Sequence, residues 1–145
     1  NCIMQQTQAH MRQKEEMCLR GESPKLGDAE LTIMQAIWQA KHPVTVGYIR
    51  DQIKEERPWA LSTLMTTLTR LCDKGFVVCD KSGRNNAYSA KVQQEQYRAS
   101  ESRSFLEKLY NSSVSSLVTT LYSNRVIGKE ELDELRRLID EIEEE

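Results

Sequence analysis

Pro58-Trp59-Ala60-Leu61-Ser62-Thr63-Leu64-Met65-Thr66-Thr67-Leu68-Thr69-Arg70-Leu71-Cys72-Asp73-Lys74-Gly75-Phe76 is the stretch on which the fold turns. Leu61, Leu64, Leu68 and Leu71 recur at spacings of three, four and three, which predicts one buried face of a helix. Ser62, Thr63, Thr66, Thr69 and Arg70 stand between them, a hydroxyl-rich face with a cation near its end. Lys74-Gly75 closes the helix with a residue that tolerates the left-handed conformation, and Phe76-Val77-Val78-Cys79 starts a strand. A helix with a small polar face can enter a DNA major groove, where hydroxyls reach phosphates and base edges. Taken alone, the same pattern suits an ordinary surface helix equally well.

The flanking sequence separates the two readings. Asp80 to Ser89 carries Ser82-Gly83 and Asn85-Asn86 between two short runs, which reads as a β-hairpin with Lys81 and Arg84 at its tip. Upstream, Thr45 followed by Val46, Ile49 and Ile53 reads as an N-capped helix with a single apolar face. Ala29 to Ala40 holds Leu31, Ile33, Met34, Ile37 and Trp38, enough for a first amphipathic helix, with Gly27 and Glu30 at the spacing of a capping box. Helix, extended Val44, helix, helix, hairpin is the order of a winged helix-turn-helix, in which the third helix is the reader and the hairpin the wing. The expected fold is therefore mainly α with a small β-hairpin.

The remainder of the chain calls for a partner. Tyr97, Phe105, Leu106 and Leu109 are sparse for a helix from Gln93 to Tyr110. Ser112-Ser113 can cap a short helix carrying Val114, Leu117, Val118, Leu121 and Tyr122, and Lys129 to Glu144 reads as a last helix with Leu132, Leu135, Leu138 and Ile139 on one face. Three short amphipathic helices bury such stripes most simply in an isologous dimer, the alternative being a three-helix bundle within one chain. The expected organisation is an N-terminal extension over residues 1–25, a winged-helix domain over 26–91 and a helical dimerisation domain over 92–145, ending in a solvated acidic tip. The extension is polar and Gln-rich, with an optional helix from Gln5 to Arg20, and has no assigned role.

Charge follows the same division. The chain of 145 residues has a net charge of −2, but residues 26–91 hold nine Lys/Arg against seven Asp/Glu, a net +2, whereas 92–145 hold seven against twelve, a net −5. The asymmetry puts a nucleic-acid contact on the first part. Because phosphate neutralisation drives affinity, one module at +2 should bind poorly and two should act together. No apolar run approaches the ~18–20 residues of a membrane span, and no secretory leader is evident. Cys2, Cys18, Cys72 and Cys79 fit neither a zinc pair nor a disulfide framework, so reduced thiols in a cytoplasm are expected, with Cys72 and Cys79 as buried small hydrophobes. His10 and His42 are isolated, and no nucleophile–base set, phosphate loop or HExxH motif occurs, so catalysis is not expected. The serious rival to a DNA binder is a winged helix that pairs only with other proteins.

Particular residues also carry a family resemblance. Leu26-Gly27-Asp28-Ala29-Glu30-Leu31 leads into Ile37-Trp38, followed by Pro43-Val44-Thr45-Val46, Trp59, Thr63-Leu64-x-Thr66, Leu68-Thr69-Arg70-Leu71 and Lys74-Gly75-Phe76. Tyr88-Ser89, Ser115-Ser116-Leu117-Val118 and Glu130-Glu131-Leu132-Asp133-Glu134-Leu135 complete the set. In order and spacing, residues 26–145 resemble the BlaI/MecI/CopY family of bacterial repressors, which includes the penicillinase repressors. The resemblance implies a cytoplasmic homodimer that represses transcription from an inverted-repeat operator with TACA/TGTA half-sites. DNA-facing positions are then Ser62, Thr63, Met65, Thr66, Thr69, Arg70 and the wing's Arg84. Ser62 and Met65 depart from the basic residues of close relatives. Dimer-facing positions are Leu106, Leu109, Val114, Leu117, Val118, Leu121, Leu132, Leu135, Leu138 and Ile139. Release in the penicillinase branch resembles proteolysis by a membrane-bound sensor of β-lactams, whose scissile bond, usually Asn-Phe, aligns with Thr120-Leu121. The Cys-x-Cys pair of the copper-responsive branch is missing, so no metal or other cofactor is expected.

Overall fold

The computed structural model describes residues 25–144; the helix allowed for Gln5–Arg20, the other expectations for residues 1–24, and Glu145 lie outside the described residues. The described residues fall into two compact units, one ending at Glu101 and the other beginning at Ser102.

In the first unit, α1 (Asp28–Ala40), α2 (Val46–Ile53) and α3 (Leu61–Lys74) precede an antiparallel hairpin of β1 (Val77–Asp80) and β2 (Ala87–Ala90), and α4 (Gln94–Tyr110) follows. This is a winged helix-turn-helix. The hairpin register pairs Val77 with Ala90 and Asp80 with Ala87, and Val44 adds a short third rung by exchanging both backbone hydrogen bonds with Tyr88, at 2.9 and 2.7 Å. Ile33 and Met34 from α1, Ile49 from α2, Leu64, Leu68 and Leu71 from α3, and Phe76 form the fully buried centre. Each such side chain contributes roughly 1.5–3 kcal/mol by leaving water.

The start and end of α3 have separate causes. Gly75 takes φ 85°, and the N–H groups of Gly75 and Phe76 donate to the carbonyls of Cys72 and Leu71 at 3.1 and 3.0 Å. That double closure stops the helix and turns Phe76 into the core beside Leu71. At the other end one expectation fails. Leu61 is not part of the buried face but 41% exposed, because as the first residue of α3 it lies beyond the turn that meets the core. The seam runs instead through Leu64, Thr67, Leu68 and Leu71. Thr67 can be buried because its hydroxyl donates to the Thr63 carbonyl at 2.9 Å. Cys72 and Cys79 are half-buried against the core rather than enclosed by it, both as free thiols. Burial pushes the Cys72 thiol above its ordinary value, reinforced by Cys79 nearby.

Tyr97, read from sequence as part of a sparse tail helix, is a core residue of the first unit. Its ring lies 5.9 Å from those of both Trp38 and Phe76, and its hydroxyl accepts from the Leu26 N–H at 3.1 Å. The first unit accordingly runs about ten residues past Lys91.

The second unit holds the end of α4, α5 (Val114–Ser123) and α6 (Lys129–Glu143). Ser113 caps α5 by accepting from the Ser116 N–H at 3.2 Å. The Glu131 carboxylate reaches back to the Gly128 N–H at 2.8 Å at the start of α6, a bond that holds its pKa below the usual carboxylate range. No residue of α5 or α6 is buried.

Candidate nucleic-acid interface

Ser62, Thr63, Met65, Thr66, Thr69 and Arg70 are all exposed on α3, so the helix presents the face that its sequence outlines. The hydroxyls behave differently along it. Thr66 donates to the Ser62 carbonyl at 2.9 Å and Thr69 to the Met65 carbonyl at 3.0 Å. A hydroxyl has a single proton, so neither has one left for a phosphate while these bonds hold. Ser62 and Thr63 make no side-chain hydrogen bond among the described residues, which leaves their protons free at the N-terminal end. Arg70 makes no ion pair among the described residues, with Asp73 or any other group.

Across from Met65 stands the wing. Met65, Arg84, Asn85, Asn86 and Tyr88 line a cleft of about 460 Å³ together with Thr45, Val46 and Gly47 at the start of α2. Among the described residues no carboxylate lines it, and Arg84, exposed at the hairpin tip, is the one cation that does. The tip keeps its shape through Asp80, whose carboxylate accepts from the N–H and hydroxyl of Ser82 at 2.9 and 2.6 Å and is thereby held below its ordinary pKa. Reader helix, wing tip and the first turn of α2 thus meet at one opening. Sequence reading found the first two but missed Asn85, Asn86 and Thr45–Gly47 as lining. The Asn-Asn pair, which reads as turn chemistry, is the available signal.

Within the second unit the ten expected dimer positions split into two sets. Leu106, Leu117, Val118, Leu121, Leu132 and Leu135 are half-buried; Leu109, Val114, Leu138 and Ile139 are exposed, as are Phe105, Tyr122, Val126 and Ile142. The Thr120–Leu121 bond lies inside α5, and the Thr120 carbonyl accepts from both the backbone N–H and the side-chain amide of Asn124, at 3.1 and 2.8 Å. Any protease acting there must first unwind the last turn of α5.

The penicillinase repressor family matches residues 26–141, taking in both units. The chain belongs to the penicillinase repressor family. It is similar to the penicillinase repressor of Bacillus licheniformis, with 31% identity over 119 residues that cover 81% of this chain and 91% of that protein. It is also similar to the methicillin resistance regulatory protein MecI of Mammaliicoccus sciuri, at 28% identity over 79% of this chain and 93% of the relative. Among solved structures, the DNA-binding domain of the repressor BlaI aligns at 28% identity and a TM-score of 0.46, covering 52% of this chain and 92% of that one. Among the described residues, no helix is long and apolar enough to cross a membrane.

In this member of the penicillinase repressor family, two clusters brace the reader helix from behind. Glu30 is buried on α1 and accepts from Lys74 Nζ at 2.7 Å and from the Gly27 N–H at 3.1 Å, tying the C-terminal end of α3 to the start of α1. Ahead of α3, Arg57 Nε donates to Thr32 Oγ1 at 3.3 Å while the guanidinium stacks 5.6 Å over the Trp59 ring. Neither cluster was visible as such in the sequence, because the partners lie 44 and 25 positions apart.

Proposed function

We propose that the chain is a homodimeric transcriptional repressor. Its two α3 helices and wings read an inverted-repeat operator with TACA/TGTA half-sites, it acts in the cytoplasm on β-lactam resistance genes, and proteolysis in the tail releases it. The observation that carries the reading is the convergence of the exposed face of α3 and the Arg84 wing tip on one cleft that no carboxylate lines among the described residues, in a chain of this family. Ser62, Thr63 and Arg70 supply donors along α3, and Arg84 takes a backbone phosphate beside them, contacts that position the module rather than specify sequence. Residues 26–91 carry only +2, so a single module neutralises few phosphates, and linking two converts the second contact into an intramolecular one. The uncovered apolar positions of the second unit provide the link. A membrane-bound sensor protease that cuts Thr120–Leu121 would sever Leu121 and all of α6 from the reader.

The test is an anisotropy titration of the full chain on a TACA/TGTA inverted repeat and on a scrambled duplex, with sedimentation of the complex. The expected result is tighter, salt-sensitive binding to the repeat by two chains per duplex. No binding at low salt would overturn it in favour of a protein-pairing winged helix, and equal affinity for both duplexes would overturn the operator reading.

A further inference from the structure

We propose that Met65 reads the C5-methyl group of a thymine in each half-site, an inference that rests on the DNA-reading function above and names the chemistry by which it discriminates. Met65 sits at the middle of the outward face of α3 and is 43% exposed, with the similarly exposed Leu61 one turn before it. Residues four apart share a helix face, so the two side chains make a continuous apolar strip where a solvated helix would carry polar groups. Thr66 and Thr69, beside that strip, give their hydroxyl protons to the carbonyls of Ser62 and Met65.

The face therefore has a centre without donors and a margin that holds them. Ser62 and Thr63 stand at one end, Arg70 at the other, and Arg84 with the Asn85 and Asn86 amides across the cleft that Met65 itself lines. In the major groove G·C pairs and adenine present hydrogen-bonding edges, and covering these with a thioether chain strips their water without replacing it. The thymine C5-methyl is the one base feature that an apolar side chain satisfies. Methionine suits the task because its unbranched chain adapts to the position of the methyl as the wing settles on the backbone. The same methyl occurs on 5-methylcytosine, and the two sources separate experimentally.

The full-length protein is first used to enrich a preferred duplex from a random-sequence pool. Each thymine of that duplex is then replaced singly by deoxyuridine, which removes only the methyl, and each cytosine by 5-methylcytosine. At least one thymine per half-site should lose about fourfold in affinity on demethylation, the value of one buried methyl. Met65→Ala should bind the thymine and uracil duplexes equally, keep the salt slope of the parent, and melt at the parent temperature. Indifference of the parent protein to every demethylation, or undiminished sensitivity in Met65→Ala, would overturn the proposal. So would a response confined to 5-methylcytosine. A pool that yields no preferred duplex would bring down the DNA-reading function itself, a failure distinct from preferring a sequence while ignoring its methyls.

Discussion

Replacing Arg70 by alanine removes a guanidinium that has no ion-pair partner among the described residues, so the loss should appear in DNA binding and nowhere else. Each phosphate neutralised on duplex DNA contributes a slope of about −0.9 to the plot of log affinity against log salt. A dimer carries two copies of Arg70, and the variant's slope should be shallower by about 1.8. Between 50 and 200 mM salt, a fourfold span, the parent should lose roughly 12-fold more affinity than the variant, or about 1.5 kcal/mol. Anisotropy with a labelled operator duplex at four or five salt concentrations measures both slopes. A scrambled duplex should show the same difference, since the contact carries no base information. The melting temperature should be unaltered, because exposed substitutions without partners lie within about 0.5 kcal/mol. Parallel salt plots for parent and Arg70→Ala would refute the phosphate contact, and a marked fall in melting temperature would reveal an internal role instead. Arg84→Ala, at the wing tip, should reproduce the effect independently.

Leu121→Asp places a charge on the half-buried stripe of the second unit and should cost several kcal/mol of dimer stability, giving monomers by sedimentation; an intact dimer at micromolar concentration would count against the interface. Tyr97→Phe keeps the ring contacts but leaves the buried Leu26 N–H without its acceptor, costing about 1–3 kcal/mol, with roughly 4–8 °C lost per kcal/mol in a unit of this size. Burial raises the Tyr97 hydroxyl above its ordinary pKa of 10.0, so its stabilising share is complete below that value and is lost as pH climbs through the raised one. The phenylalanine variant should therefore lose less stability than the parent between neutral and strongly alkaline pH, and equal losses would refute the assignment. If the tail is cut on induction, mass spectrometry of protein from induced cells should find a new C-terminus at Thr120; only full-length chain beside a derepressed target gene would end that hypothesis.

Local pattern made the helices of the first unit legible. The apolar rhythm of Leu64, Leu68 and Leu71 on α3, the Lys74-Gly75 stop and the Thr45 cap each depend on neighbours a turn away, and each appears in the fold. What was not legible depends on distance. Leu61 has the same spacing as Leu64, but spacing cannot say where the core ends along a helix axis. Tyr97 reads as part of a sparse tail helix because its partners, Leu26, Trp38 and Phe76, come from three other segments. Ser and Thr along α3 announced a polar face correctly, yet the direction of each hydroxyl is settled by the i−4 carbonyl and not by composition. The cleft beside Met65 required the hairpin to fold back toward α3, a relation between elements that no window of sequence contains.

The position of Tyr97 bears on how the molecule can be divided. A fragment cut at Lys91, where composition places the domain edge, would leave the Trp38 and Phe76 rings without the side chain that covers them, and the Leu26 amide without its acceptor. It would also strip Trp38 Nε1 of the Val92 carbonyl, to which it donates at 2.9 Å. A fragment that keeps these contacts retains the first two turns of α4, to about Glu101, where the first compact unit ends. Proteolysis meets the same constraint: a nick between the wing and Tyr97 separates Tyr97 from the chain that carries Leu26, Trp38 and Phe76, whereas a cut inside α5 leaves those contacts on one fragment.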